Sequence, residues 1–356
     1  MALTKVSTGV VDLSDDTGAL AISKGTTAQR PSTSTIGMLR ANTTDNTMEV
    51  YADNGGTPGW QVLAEGSDLS PLTVDYLIIG GGGAGKNGGG GAGGMREGSA
   101  VNVSLSTTFQ LTVGSRGEPV GTVASTGLTA GWDGEDSELT IDVSQGAIVA
   151  TGGGQGGRTD RAAGTVGPGG SGGGGGSASG TLTQGGLGNT PATTPVQGYN
   201  GGTNGNFRGS PYPSGGGGGA GAVGGNATSN NQCGAGGAGR PSSITGTLTY
   251  YAGGGGGGMY SSSSGNGVGG IGGGGDGYRG AGQPIQDGAT NTGSGGGGGG
   301  NANRGGYGGS GVVILRYPAS YSIQVGVGLT SAVDSTSVPG YKIETFTSGS
   351  GTIIFS

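Results

Sequence analysis

Short apolar runs broken by turn residues mark both ends of the chain. Near the start they are Val10-Val11-Asp12-Leu13 and Ala19-Leu20-Ala21-Ile22, then Ile36–Asn42, Met48–Tyr51 and, after a Gly-Gly-Thr-Pro-Gly turn, Trp60–Leu63. Alternation of this kind with turn chemistry predicts pieces of a β-meander over 1–66. Strands this short in about 60 residues bury little core, so stability through association with further copies is expected.

After a hinge around 67–73, Val74-Asp75-Tyr76-Leu77-Ile78-Ile79 reads as a buried strand that runs straight into glycine. Val101–Leu105, Phe109–Val113, Leu139–Val143 and Ala147–Ala150 are further strand candidates, and Val312–Tyr317 is a strong one at the far side of the glycine region. Strands at both borders predict a small β-base from which the glycine segments project and to which they return.

Composition then changes the picture. Glycine supplies 98 of 356 residues, about a fourfold excess over ordinary usage, and it is concentrated between Gly80 and Gly311. Low charge, 12 tyrosines and apolar punctuation such as Leu187, Leu248, Val268 and Ile271 argue for order rather than a floppy linker. Glycine-dense runs begin near 152, 172, 215, 236, 253, 272 and 295, a spacing of about 20 residues that marks a loose internal repeat. Inside the runs, residues other than glycine tend to recur every third position, as at Gln155, Arg158 and Arg161 or Arg304, Tyr307 and Ser310. A three-residue period predicts polyproline-II-like geometry, whose backbone groups must bond to neighbours. The expected fold is thus mainly β plus irregular. An N-terminal β-meander module (1–66) and a linker (67–73) lead into a glycine-rich domain (74–318), and a C-terminal β segment (319–356) follows. Within the domain a β-base (74–151 and 311–318) is expected to carry a bundle of polyglycine-II helices (152–310).

Charge and chemistry narrow the function by exclusion. The net charge is −6 and the basic residues are scattered, so no nucleic acid is expected as a partner. The chain has no histidine and one cysteine, Cys233, which removes the commonest general base and any cysteine-built zinc site. No apolar run approaches the length of a membrane span, so no membrane insertion is expected. Gly80-x-Gly82-x-x-Gly85-Lys86 imitates a nucleotide loop, but Asn87 and further glycines follow where a helix is required. Asp133, Glu135, Asp136 and Glu138 form the densest acidic cluster and match no calcium-loop spacing. The expectation is a protein that is not an enzyme, with no cofactor and no metal.

Two parts of the chain resemble known families. Gly25–Pro31 with Ile36–Asn42, Met48–Tyr51 and Trp60–Leu63 is similar to a β-module of bacteriophage tail fibres, and Met1–Gly9 resembles the N-termini of cyanophage-type fibre proteins. Val74–Gly80, Leu111–Gly114, Ala150–Gly154 and Gly311–Tyr317 resemble the glycine-rich domain of phage fibres and adhesins. Tyr341–Thr347 resembles a strand that usually precedes that domain and here follows it. The resemblance implies a virion tail appendage made in the host cytoplasm. It would be trimeric through its N-terminal module, in contact with other tail proteins, and would bind a host-surface glycan or outer-membrane protein. Loops rich in Tyr, Asn and Arg between glycine segments have the composition of binding loops. The candidate receptor-binding residues are Tyr199, Asn206, Phe207, Arg208, Tyr212, Tyr260, Tyr278 and Arg279. The alternatives are a purely structural virion protein, a fibre spacer or capsid decoration, and an ice-binding protein.

Overall fold

In the run Leu72–Ile79 alternate side chains enter two different cores. Val74 and Ile78 join one cluster with Phe109, Leu111, Leu139, Phe346, Ile353 and Phe355. Leu77 and Ile79 join another with Ala92, Met95, Ala220, Ile244 and Tyr251. Val312–Pro318 behaves in the same way, with Val313, Leu315 and Tyr317 in the first cluster and Val312 and Ile314 in the second. A strand buried on both faces reads as a continuous apolar run rather than an alternating one.

The computed structural model describes residues 22–53, 58–65, 72–119, 132–142, 146–158, 166–177, 182–207, 209–261, 265–278, 285–300 and 304–356. The expected runs Val10–Leu13 and Ala19–Ile22 lie wholly or largely outside the described residues. The chain forms two compact units, Met1–Pro71 and Leu72–Ser356.

In the first unit β1 (Lys24–Gly25), β2 (Leu39–Asn42), β3 (Thr47–Asp53) and β4 (Pro58–Glu65) make a four-stranded sheet in that order. Glu49 is buried beneath it, accepting from Arg30 and from Asn42 Nδ2 at 2.9 Å, with Arg40 at 3.5 Å. These cations and donors, Arg30 first, hold its carboxyl below the ordinary range. Trp60 packs edge-on against Tyr51 and under the Arg40 guanidinium.

The second unit contributes β5 (Leu72–Ile79), β6 (Met95–Val103), β7 (Thr108–Val113), β8 (Ser137–Asp142) and β9 (Gly146–Ala150). It continues with β10 (Arg240–Ser242), β11 (Thr249–Tyr251), β12 (Val312–Pro318), β13 (Ile323–Val325), β14 (Leu329–Asp334) and β15 (Tyr341–Phe355). A nine-stranded antiparallel sheet runs β6-β5-β12-β15-β7-β8-β9, with β13 and β14 also paired to β15. The 15-residue β15 joins the halves, pairing β12 through Tyr341–Phe346 and β7 through Gly349–Ile354. β5 and β6 then pack against β8 and β9, so the sheet closes on itself around the first core.

The expected fold class needs correction. Among the described residues regular structure is almost entirely β, with one 3-10 turn at Thr27–Gln29, and no bundle of helices is present. The base is a sheet that includes the C-terminal strands. The glycine segments are extended, and their backbone hydrogen bonds run between segments rather than along one. Residues 87–94 show the pattern. The N–H groups of Gly88, Gly91 and Gly94 donate to Gly157, Gly154 and Thr151. Those of Gly89 and Ala92 donate to Gly215 and Gly218, and those of Gly90 and Gly93 to Gly296 and Gly293. The carbonyls of the same stretch accept from three further stretches, through Gly83, Gly174 and Gly255 among others. Every N–H of this stretch is paired, and at its glycines neighbouring carbonyls approach so closely that a Cβ has no room.

Candidate functional site

Because the glycine segments carry almost no side chains, chemistry gathers where the chain turns between them. Residues 203–207 with 209–214, residues 226–233, and residues 259–261 with 265–267 are three such stretches, and backbone hydrogen bonds join them to one another. Tyr260 N–H donates to Tyr212 O (3.3 Å), Ser261 N–H donates to Pro211 O (3.2 Å), and the Ser210 and Ser261 hydroxyls lie 2.9 Å apart. These bonds set the Tyr212 and Tyr260 rings edge-to-face with centroids 6.0 Å apart. Tyr212 has φ of 57° and Asn206 φ of 59°, in the left-handed region that few residues other than glycine adopt.

The eight predicted residues divide by place. Tyr212 and Tyr260 are in contact. Phe207 and Tyr278 lean back on glycine, where a Cβ at Gly205 or Gly300 would come within 2.5 and 2.7 Å of their rings. Asn206 is exposed, and its N–H donates to the buried Asn204 Oδ1 at 3.1 Å. Tyr199 is not among them: it lies two residues from Gln197, whose carbonyl accepts from Met95 at the start of β6. Arg208 and Arg279 lie outside the described residues.

Other candidates take structural roles. Every N–H from Gly80 to Lys86 donates to a backbone carbonyl, so this stretch turns no free amide toward a phosphate. Lys86 places its amine over the Trp132 ring at 5.0 Å. In the acidic cluster Asp133 accepts from Gln155 N–H (2.6 Å), Asp136 from Gly152 N–H (2.8 Å) and Glu135 from the Ser115 hydroxyl (2.7 Å). Burial pushes the Asp133 carboxyl up. Among the described residues no group of His, Cys, Asp and Glu is placed to hold a metal ion. Burial pushes the Cys233 thiol up to about 11, which leaves it a poor nucleophile.

Sequence reasoning missed a charged cleft at the sheet end, which contains Asp75 and Arg316. Arg316 Nε and Nη2 donate to Asp75 Oδ2 at 3.0 and 2.6 Å although the residues are 241 apart. The available signal was a single charge inside each of two apolar strands.

Residues 67–318 match the model of a family described as a glycine-rich domain. No curated protein and no solved structure matches the chain.

Proposed function

The chain belongs to the glycine-rich domain family, and from that premise we propose that it is a virion appendage, a tail fibre or tip adhesin. It binds a host-surface receptor, a glycan or an outer-membrane protein, without covalent chemistry. The observation that carries this reading is the Tyr212–Tyr260 pair. Two half-buried aromatics are held edge-to-face by backbone bonds on a scaffold otherwise stripped of side chains. Tyrosine offers large contact area at low entropic cost, and a pre-organised pair loses little on binding. The likeness of the N-terminal module to tail-fibre modules supports the same reading and the assignment to a virion.

Virions carrying Tyr212→Ala with Tyr260→Ala provide the test. Adsorption to host cells is expected to fall at least about tenfold, an aromatic contact at a binding centre contributing about 2 kcal/mol or more. The glycine lattice and melting temperature should be unaltered. Unchanged adsorption with intact particles would favour a purely structural role as a spacer.

A further inference from the structure

The stretches that carry the Tyr212–Tyr260 pair are tied together by more than that contact. Cys233 N–H donates to Gly265 O at 2.6 Å and Gln232 Nε2 to Asn266 O at 3.2 Å, which binds the second stretch to the third. A Cβ on Gly209 would come 3.2 Å from Asn230 Nδ2, so the Asn230 amide lies beside the turn that bears Tyr212. The Ser210 and Ser261 hydroxyls are in mutual contact at 2.9 Å. Asn206, Ser210, Asn230 and Ser261 are all exposed. The result is one surface of two aromatic rings, amides and hydroxyls, braced by hydrogen bonds between turns.

Charge is nearly absent from it. Residues 203–214, 226–233 and 259–267 contain one charged residue, Arg208, and no carboxylate side chain. Lys86 comes to the same end of the bundle, since Ser214 Oγ donates to Asn87 O at 2.6 Å, but its amine lies over the Trp132 ring at 5.0 Å. The chain as a whole carries a net charge of −6, which disfavours the approach of a polyanion.

Given the receptor reading of the Tyr212–Tyr260 pair, on which this rests, we infer that the ligand is an uncharged surface glycan. Sugar hydroxyls both donate and accept, and so do amide and serine side chains. Two hydroxyls in mutual contact use one proton and one lone pair between them, which leaves a donor and further acceptors for a ligand. The face of an aromatic ring carries negative potential and attracts the polarised C–H groups of a pyranose. An acidic glycan repeats its carboxylate along the polymer and would meet a single cation, Arg208, in these stretches. An outer-membrane protein brings charged side chains, about a quarter of residues in an ordinary chain. Buried here, those charges would lose water without gaining a counter-charge.

The probes are host surface polysaccharide, separated by anion exchange into neutral and acidic fractions, and detergent-extracted outer-membrane proteins. Each is titrated against the immobilised full chain. The neutral fraction is expected to bind saturably and at least about tenfold more tightly than the other two, and to block attachment of the full chain to host cells. Raising salt from about 50 to about 500 mM should change that affinity less than about twofold, because no ion pair is present to screen. Asn230→Ala with Ser261→Ala should weaken it at least about fivefold, as loss of two hydrogen bonds does, at an unchanged melting temperature. Preference for the acidic or the protein fraction, strong salt dependence, undiminished binding by that variant, or no binding of the neutral fraction overturns the proposal. In each of those cases the receptor reading stands if the chain with Tyr212→Ala and Tyr260→Ala loses attachment to cells, and it falls if that chain still attaches.

Discussion

At Gly90 the need for glycine is a matter of distance: a Cβ there would come 2.1 Å from Gly83 O. Gly83 cannot retreat, because its own N–H donates to Gly91 O. Gly209, in the turn that carries Tyr212, would meet only the Asn230 amide at 3.2 Å. Gly90→Ala is therefore expected to destabilise the second unit by about 3 kcal/mol or more, as forced overpacking does. Gly209→Ala should stay within about 0.5 kcal/mol of the parent. Denaturant melts of both variants check this, and equal losses would sink the close-packing argument. At this scale the sequence announced that glycine was required but could not rank its positions. Nor could it pair Tyr212 with Tyr260, because that contact is made by bonds between turns 48 residues apart.

Elements were legible where both faces are buried. Val74–Ile79 and Val312–Tyr317 stand out as unbroken apolar runs, and they lie within β5 and β12. β6 begins in the polar stretch Met95-Arg96-Glu97-Gly98, and only pairing with β5 makes it a strand. β10 and β11 are three residues each, too short to carry a period. The expected helices failed for a related reason. A three-residue recurrence in composition reports only that backbone groups bond between segments, as they do here, and it does not by itself define a bundle of helices. β15 was legible only in its first half, since Thr347-Ser348-Gly349-Ser350-Gly351-Thr352 resembles a loop. Yet it joins β12 to β7, and it lies beyond the matched residues 67–318. A chain ending at Pro318 is accordingly expected to lose its cooperative thermal transition for the second unit. A soluble 1–318 chain melting like the parent would remove β15 from that role.

For the whole molecule, the described residues of the first unit form a single four-stranded layer that leaves Ile36, Leu39, Val62 and Leu63 exposed. One sheet without a covering layer seldom suffices for stability, which supports the proposed trimer through this module. Light scattering is expected to return three times the 33.5 kDa chain mass for the full protein. Residues 72–356 alone should run as a monomer. A monomeric full chain, or a trimer that survives removal of 1–71, would contradict that assembly.

What the sequence determined by itself was local and compositional: the border strands, the demand for glycine between them, and a chain without histidine. These follow from which side chains can be buried and how closely backbones approach. Tertiary structure alone decided that the sheet closes through its last strand, which turns meet, and that Asp75 and Arg316 converge. Each of those depends on hydrogen bonds and packing between residues far apart in the chain, and a linear pattern does not record which distant partner satisfies a given backbone amide.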